Sequence, residues 1–324
     1  MEYTKDEVAQ LYLNHFINYD EYAKYDNGID KSYVIKALDK VADKKYVSFL
    51  YRVIKYYDIY FFVGKGIQHC VPVQIDDTDA TLCSIKITQD NNAFFHEIGH
   101  GVDFGFLSSL AKIDKSYYNK IDFYSGKDLY NVLLEEFGSQ WENIYNDIER
   151  ELLNSLDEEF YEGFGEVIRK NAKDYASCNN IKVRIAFSTP EQKEKHEKKM
   201  DKLRAIRDRL TAEGIFEAFK QYVTSKSLTN IRLKYDVLID AVSAYKDVNL
   251  PFGLGGHSPK YYKQEPSNLS IEFFANLFSD TILGNNESIN TVKKYLPKSY
   301  EEFMKTLEAM DAYSKFLDAL ACNE

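Results

Sequence analysis

Long apolar runs are missing from this chain. No stretch approaches the roughly 18 uninterrupted apolar residues that a helical membrane span requires. The opening Met1-Glu2-Tyr3-Thr4-Lys5-Asp6-Glu7 is charged where a signal peptide would carry its apolar core. The expectation is a cytoplasmic protein as encoded, without a membrane span, or one delivered by something other than its own leader. Cysteine is sparse, and Cys70, Cys83, Cys178 and Cys322 include no CxxC pair. They read as free thiols in a reducing compartment rather than a disulfide framework. Basic charge is short too: 41 Lys and Arg against 51 Asp and Glu leave −10, with no basic patch, so nucleic acid is not an expected partner. Only 6 prolines and 15 glycines punctuate the chain, while 26 Tyr and 21 Phe supply core, which points to a compact, ordered, mostly helical protein.

Histidine is equally scarce, with 6 in the chain, yet two of them stand four apart in Ala93-Phe94-Phe95-His96-Glu97-Ile98-Gly99-His100-Gly101-Val102-Asp103. This is HExxH. On a helix, residues four apart share a face, so His96 and His100 can offer their imidazoles to one metal ion. Glu97 sits where it can reach a water on that metal. A zinc ion suits two imidazoles plus one further protein ligand, with the fourth position left for water. The bland alternative is a buried amphipathic helix whose histidines only satisfy hydrogen bonds. Just upstream, Thr81 to Thr88 alternates apolar with polar or short residues and reads as a half-buried strand. Gln89-Asp90-Asn91-Asn92 then offers a turn with good helix caps.

Along the rest of the chain, residues 5 to 20 read as a short helix and 32 to 57 as one longer helical region. Residues 58 to 63 form a strand, and Val71 to Ile75 a weaker one, at an edge because of Pro72. With 81 to 88 these make a small mixed sheet packed on the HExxH helix. The residues from 111 to 235 turn helical and charged, with Trp141 in a packed helix. A stripe of Met200, Leu203, Ile206 and Leu210 runs along a charged helix and is read as a core-facing side. Residues 251 to 259 read as a loop, 270 to 279 as a helix, and 293 to 320 as one or two closing helices punctuated by Pro297. The expected fold is therefore α+β and predominantly helical. Residues 1–110 hold the edge strand and the HExxH helix, 111–235 are a helical elaboration, and 236–324 complete one catalytic unit.

The third ligand is sought on the 270s helix. Phe273, Phe274, Leu277 and Phe278 mark its buried side, and a carboxylate beside them is costly to bury unless paired or metal-bound. Glu272 is the candidate, with Ala275 one turn on small enough to admit a second helix. An exposed glutamate favoured by the helix dipole is the competing reading. Asp103 shares the face of His100 and either binds metal itself or orients a histidine from outside the ligand set. Glu135 and Glu136 lie in what reads as an ordinary surface edge.

HEIGHGVD followed by IEFFANLF resembles the zinc site of lethal-factor-type metalloproteases, a gluzincin group, over roughly residues 58–105 and 250–310. It is also similar to metallopeptidase-like domains of phage minor head proteins. The resemblance implies a zincin-like fold in which His96, His100 and Glu272 hold Zn2+ and Glu97 is the general base. It further implies that strand 81–88 pairs with an extended protein or peptide substrate. The chain departs from that pattern twice. The position of the family's catalytic tyrosine, seven residues before the glutamate ligand, is Glu265, which leaves Tyr261, Tyr262 or His257 as oxyanion donors, or else a bland surface turn. The second acid, four residues after the ligand, is Asn276.

The function implied is a zinc-dependent endopeptidase. The alternative is a structural or interaction protein of a phage-like particle, binding head proteins and retaining the fold with little catalysis. A toxin or effector acting on host proteins is a third possibility.

Overall fold

The computed structural model describes residues 2–15, 31–63, 69–75, 78–85, 91–114, 124–126, 128–154, 198, 229–246 and 259–322. His257, the Met200–Leu210 stripe and the last residues of the 81–88 segment lie outside them. The described residues are predominantly helical, and none of their helices is long and apolar enough to cross a membrane. Two compact units divide the chain: Met1–Gln140 with Lys260–Glu324, and Trp141–Pro259.

The first unit begins with α1 (Lys5–Asn14), started by a reciprocal cap between Thr4 and Glu7. The helical region expected from 32 to 57 is two helices, α2 (Lys31–Leu38) and α3 (Lys44–Tyr56). The break comes at Asp43, whose side chain accepts the Lys45 N–H at 3.0 Å and restarts the helix. Three strands follow: β1 (Ile59–Val63), β2 (His69–Ile75) and β3 (Thr78–Ile85). Their order is β1-β3-β2, with β1 parallel to β3 (Ile59 opposite Thr81) and β2 antiparallel to it (Cys70 opposite Cys83).

This order corrects the expected substrate strand. β3 is central, with β1 on one side and β2 on the other, so its main-chain groups are already committed to neighbours and cannot receive a peptide. Pro72 does lie on an outer strand, where a residue lacking an N–H is tolerated. The outer edge of β1 is closed by the end of α1: the Phe61 N–H donates to the His15 carbonyl at 2.9 Å, and His15 Nδ1 meets the Ile59 carbonyl at 2.8 Å.

The sheet packs on α4 (Asn91–Ile113), which carries HExxH. Two glycines on α4 set its neighbours. A Cβ on Gly105 would lie 2.7 Å from the Tyr57 carbonyl oxygen, at the end of α3. A Cβ on Gly99 would lie 3.0 Å from the Ala275 Cα, on the helix that carries Glu272. After a 3₁₀ turn at Tyr124–Gly126 comes α5 (Asp128–Asn154), whose start belongs to the first unit.

In the second unit the end of α5 and α6 (Thr229–Lys246) meet where Glu151 accepts from Lys234 Nζ and from the Tyr235 hydroxyl, both at 2.7 Å.

The first unit resumes with α7 (Pro259–Gln264), α8 (Asn268–Leu283), α9 (Asn286–Tyr295) and α10 (Pro297–Ala321). α8 is buried on nearly every side and stops at Gly284, whose φ of 71° suits glycine. Pro297 opens α10, where its missing N–H costs nothing. α10 packs on α3: Arg52 pairs with Asp311 at 2.6 Å, and Asp318 accepts the hydroxyls of Tyr3 (2.6 Å) and Tyr56 (2.9 Å).

Candidate metal centre

The close approach of Gly99 and Ala275 decides the geometry. With no side chain at one position and a single methyl at the other, α8 comes near enough to α4 for Glu272, one turn before Ala275, to reach the HExxH face. His96 Nε2 and His100 Nε2 stand 3.0 Å apart with their rings nearly perpendicular. Glu272 Oε2 lies 3.3 Å from the first and 3.5 Å from the second. Among the described residues these three side chains form a group able to hold a metal ion. The donor set fits zinc. Bonds of about 2.0–2.1 Å to a tetrahedral ion put its ligand atoms about 3.3–3.4 Å from one another, and the three separations here bracket that value.

Glu272 is 3% exposed, so it is not the surface glutamate that spacing alone allows. Burial pushes its carboxyl upward. The charge and hydrogen bonding of His100, and then those of His96, outweigh burial and hold it well below the ordinary carboxylate range. The other carboxylate oxygen, Oε1, accepts the Tyr261 hydroxyl at 2.8 Å. Tyr261 is on α7, a short helix where a loop was expected to end, and its ring meets that of buried Tyr262 edge-on at 5.2 Å.

Glu97, next to His96 on α4, is buried at 4% exposure. Asp103 is fully buried and lies outside the three-residue group. Its carboxylate accepts the backbone N–H of Ser125 at 2.9 Å and also the Ser125 hydroxyl. Asn276 is half-buried on α8, one turn past Glu272.

Two positions escaped the sequence reading. Tyr12 of α1 is buried, stacked on Phe61 at 4.1 Å and tilted against Phe94 at 5.3 Å. Burial first, then Tyr33 and the Glu97 carboxylate, push its hydroxyl well above the ordinary tyrosine range. Nothing in the spacing of α1 distinguishes Tyr12 from an ordinary packing residue. The other is Glu136, which is no surface residue. It is buried and accepts the Lys298 N–H (2.9 Å), the Ser299 N–H (2.7 Å) and the Ser299 hydroxyl (2.7 Å), capping the start of α10. Glu135 does lie at the surface, paired with Lys298 at 2.9 Å.

Comparison with protein-family models, with curated proteins and with solved structures finds no match to this chain.

Proposed function

We propose that the chain is a zincin-like, gluzincin-type zinc endopeptidase. One observation carries the reading: two imidazole nitrogens and a carboxylate oxygen, from helices far apart in sequence, converge within 3.0–3.5 Å of one another beside a buried glutamate. His96, His100 and Glu272 hold the ion. A zinc ion there supplies an acidified water and polarises the scissile carbonyl.

The chain's own residues supply the rest. Glu97 accepts a proton from water and delivers it to the leaving amine. Its burial keeps competing solvent away and strengthens its interaction with nearby charge. Asp103, held by Ser125, steadies the helix turn that carries His100. An extended peptide pairs along the outer edge of β2, the side of the sheet that neither β3 nor His15 occupies.

The test combines metal analysis of purified protein with digestion of a diverse peptide library, wild type against Glu97→Ala. The expected result is about one zinc per chain in both and cleavage in the wild type alone. Metal without turnover in the wild type would favour the particle-associated interaction protein. A folded wild type with no affinity for divalent metal would overturn the endopeptidase.

A further inference from the structure

Resting on that reading, we infer that Tyr261 is a positioning residue for the ligand carboxylate and not the donor to the reacting carbonyl oxygen. The two oxygens of Glu272 have different surroundings. Oε2 faces both histidine Nε2 atoms at 3.3 and 3.5 Å, while Oε1 is held by the Tyr261 hydroxyl at 2.8 Å. A phenol donating to an ionised carboxylate makes a charge-assisted bond, roughly twice as strong as a neutral one.

A carboxylate held at Oε1 by a hydroxyl on one side presents Oε2 to the two imidazole nitrogens on the other. Tyr261 would therefore favour Glu272 as a one-oxygen ligand, leaving to water the position that its second oxygen would otherwise take. The hydroxyl is itself fixed from behind. Tyr262, 4% exposed, braces the Tyr261 ring, and α7 joins α8 through tight turns in which the Asn268 and Leu269 N–H groups donate to the Glu265 and Pro266 carbonyls. This spacing, eleven residues before the ligand, suits a hydroxyl that addresses the glutamate. It explains how Glu265 can stand at the position seven before it without disturbing the site: its side chain points to Ser267, whose hydroxyl donates to it at 3.0 Å.

The experiment compares wild type, Tyr261→Phe and a chain with 4-aminophenylalanine at 261, which keeps an N–H donor at the same point. Each is titrated with Zn2+ against a chromophoric chelator and with Co2+ followed by visible absorption, and folding is checked by thermal melting without metal. Losing the hydroxyl should weaken zinc binding by about 10–100-fold. The intense visible bands of four-coordinate Co2+ should give way to the weaker bands of a five-coordinate ion as Glu272 turns both oxygens inward. The amino analogue should restore both. Wild-type affinity and an unchanged Co2+ spectrum in Tyr261→Phe would overturn the assignment and leave the zinc site standing. A wild type that binds neither metal would overturn the site itself and the assignment with it. If Tyr261→Phe melts like wild type but the amino analogue fails to restore affinity, hydroxyl donation is likewise refuted.

Discussion

Gly99 and Gly105 lie on one helix and separate the proposed metal site from the fold that supports it. An alanine at Gly99 would place its Cβ 3.0 Å from the Ala275 Cα, 3.3 Å from the Ala275 carbonyl oxygen and 3.2 Å from a Phe278 ring carbon. Comfortable carbon contacts begin near 3.5 Å, so α8 must retreat by roughly 0.5 Å. Overpacking of this kind costs about 1–3 kcal/mol, and the gain in helix propensity returns about 1 kcal/mol, so the net loss is about 0–2 kcal/mol. The proposed metal site would tolerate less. Ligand distances are held to about 0.2 Å, and Glu272 rides on α8 one turn from the contact, so zinc affinity should fall on the order of tenfold or more. Gly105→Ala strikes different atoms, the Cβ and carbonyl oxygen of Tyr57, each at 2.7 Å. It should cost about 2–3 kcal/mol by the same overpacking while leaving zinc affinity near the wild-type value. Urea midpoints and competitive zinc titrations on both variants read the two quantities independently. Equal losses of affinity in both, or full affinity in Gly99→Ala, would refute the claim that the Gly99–Ala275 crossing delivers the third ligand.

Three other outcomes follow from the packing. Glu136→Ala strips three donors at the start of α10 of their acceptor and should cost about 2–4 kcal/mol, seen as a lower urea midpoint with an unchanged slope. Asp318 is buried, which raises its carboxyl, but bonds from Tyr3 and Tyr56 more than offset this and hold it below its ordinary value. Its stabilisation is therefore complete above the unfolded value of about 3.9 and is lost as pH falls through the lower folded value. Asp318→Asn should flatten the acid limb of the stability–pH curve, and an unaltered limb would remove Asp318 from it. Zinc at a thousandfold excess over its dissociation constant contributes about 4 kcal/mol. Chelation should therefore lower Tm by about 6 °C in a chain of this size, and a melt indifferent to chelator would count against the site.

Much of the local structure was legible because it is written in local signals. The HExxH spacing, Pro72 on an outer strand and Pro297 opening a helix each follow from backbone chemistry within a few residues. Burial of Glu272 was half legible. The phenylalanines around it mark an apolar helix, but whether its edge meets solvent or α4 depends on a partner more than a hundred residues away. Strand order was not legible. The alternation in residues 81–85 suits an edge and a centre equally, and the parallel pairing with β1 that fills one side is a long-range choice. The break before α3 was masked by apolar residues that keep helical spacing across it. Asp43 was the available signal, a capping residue inside a pattern that otherwise reads as continuous. Glu136 was misread because a charged pair of neighbours suggests surface, whereas only one of the two reaches solvent.

The first compact unit is discontinuous, and this orders events during synthesis. Both imidazoles emerge early, whereas their carboxylate partner follows about 170 residues later, a delay of roughly 10–35 s at ordinary translation rates. Throughout that interval α4 has neither α8 against it nor a complete coordination set. The group formed by His96, His100 and Glu272 therefore cannot close until α8 has left the ribosome.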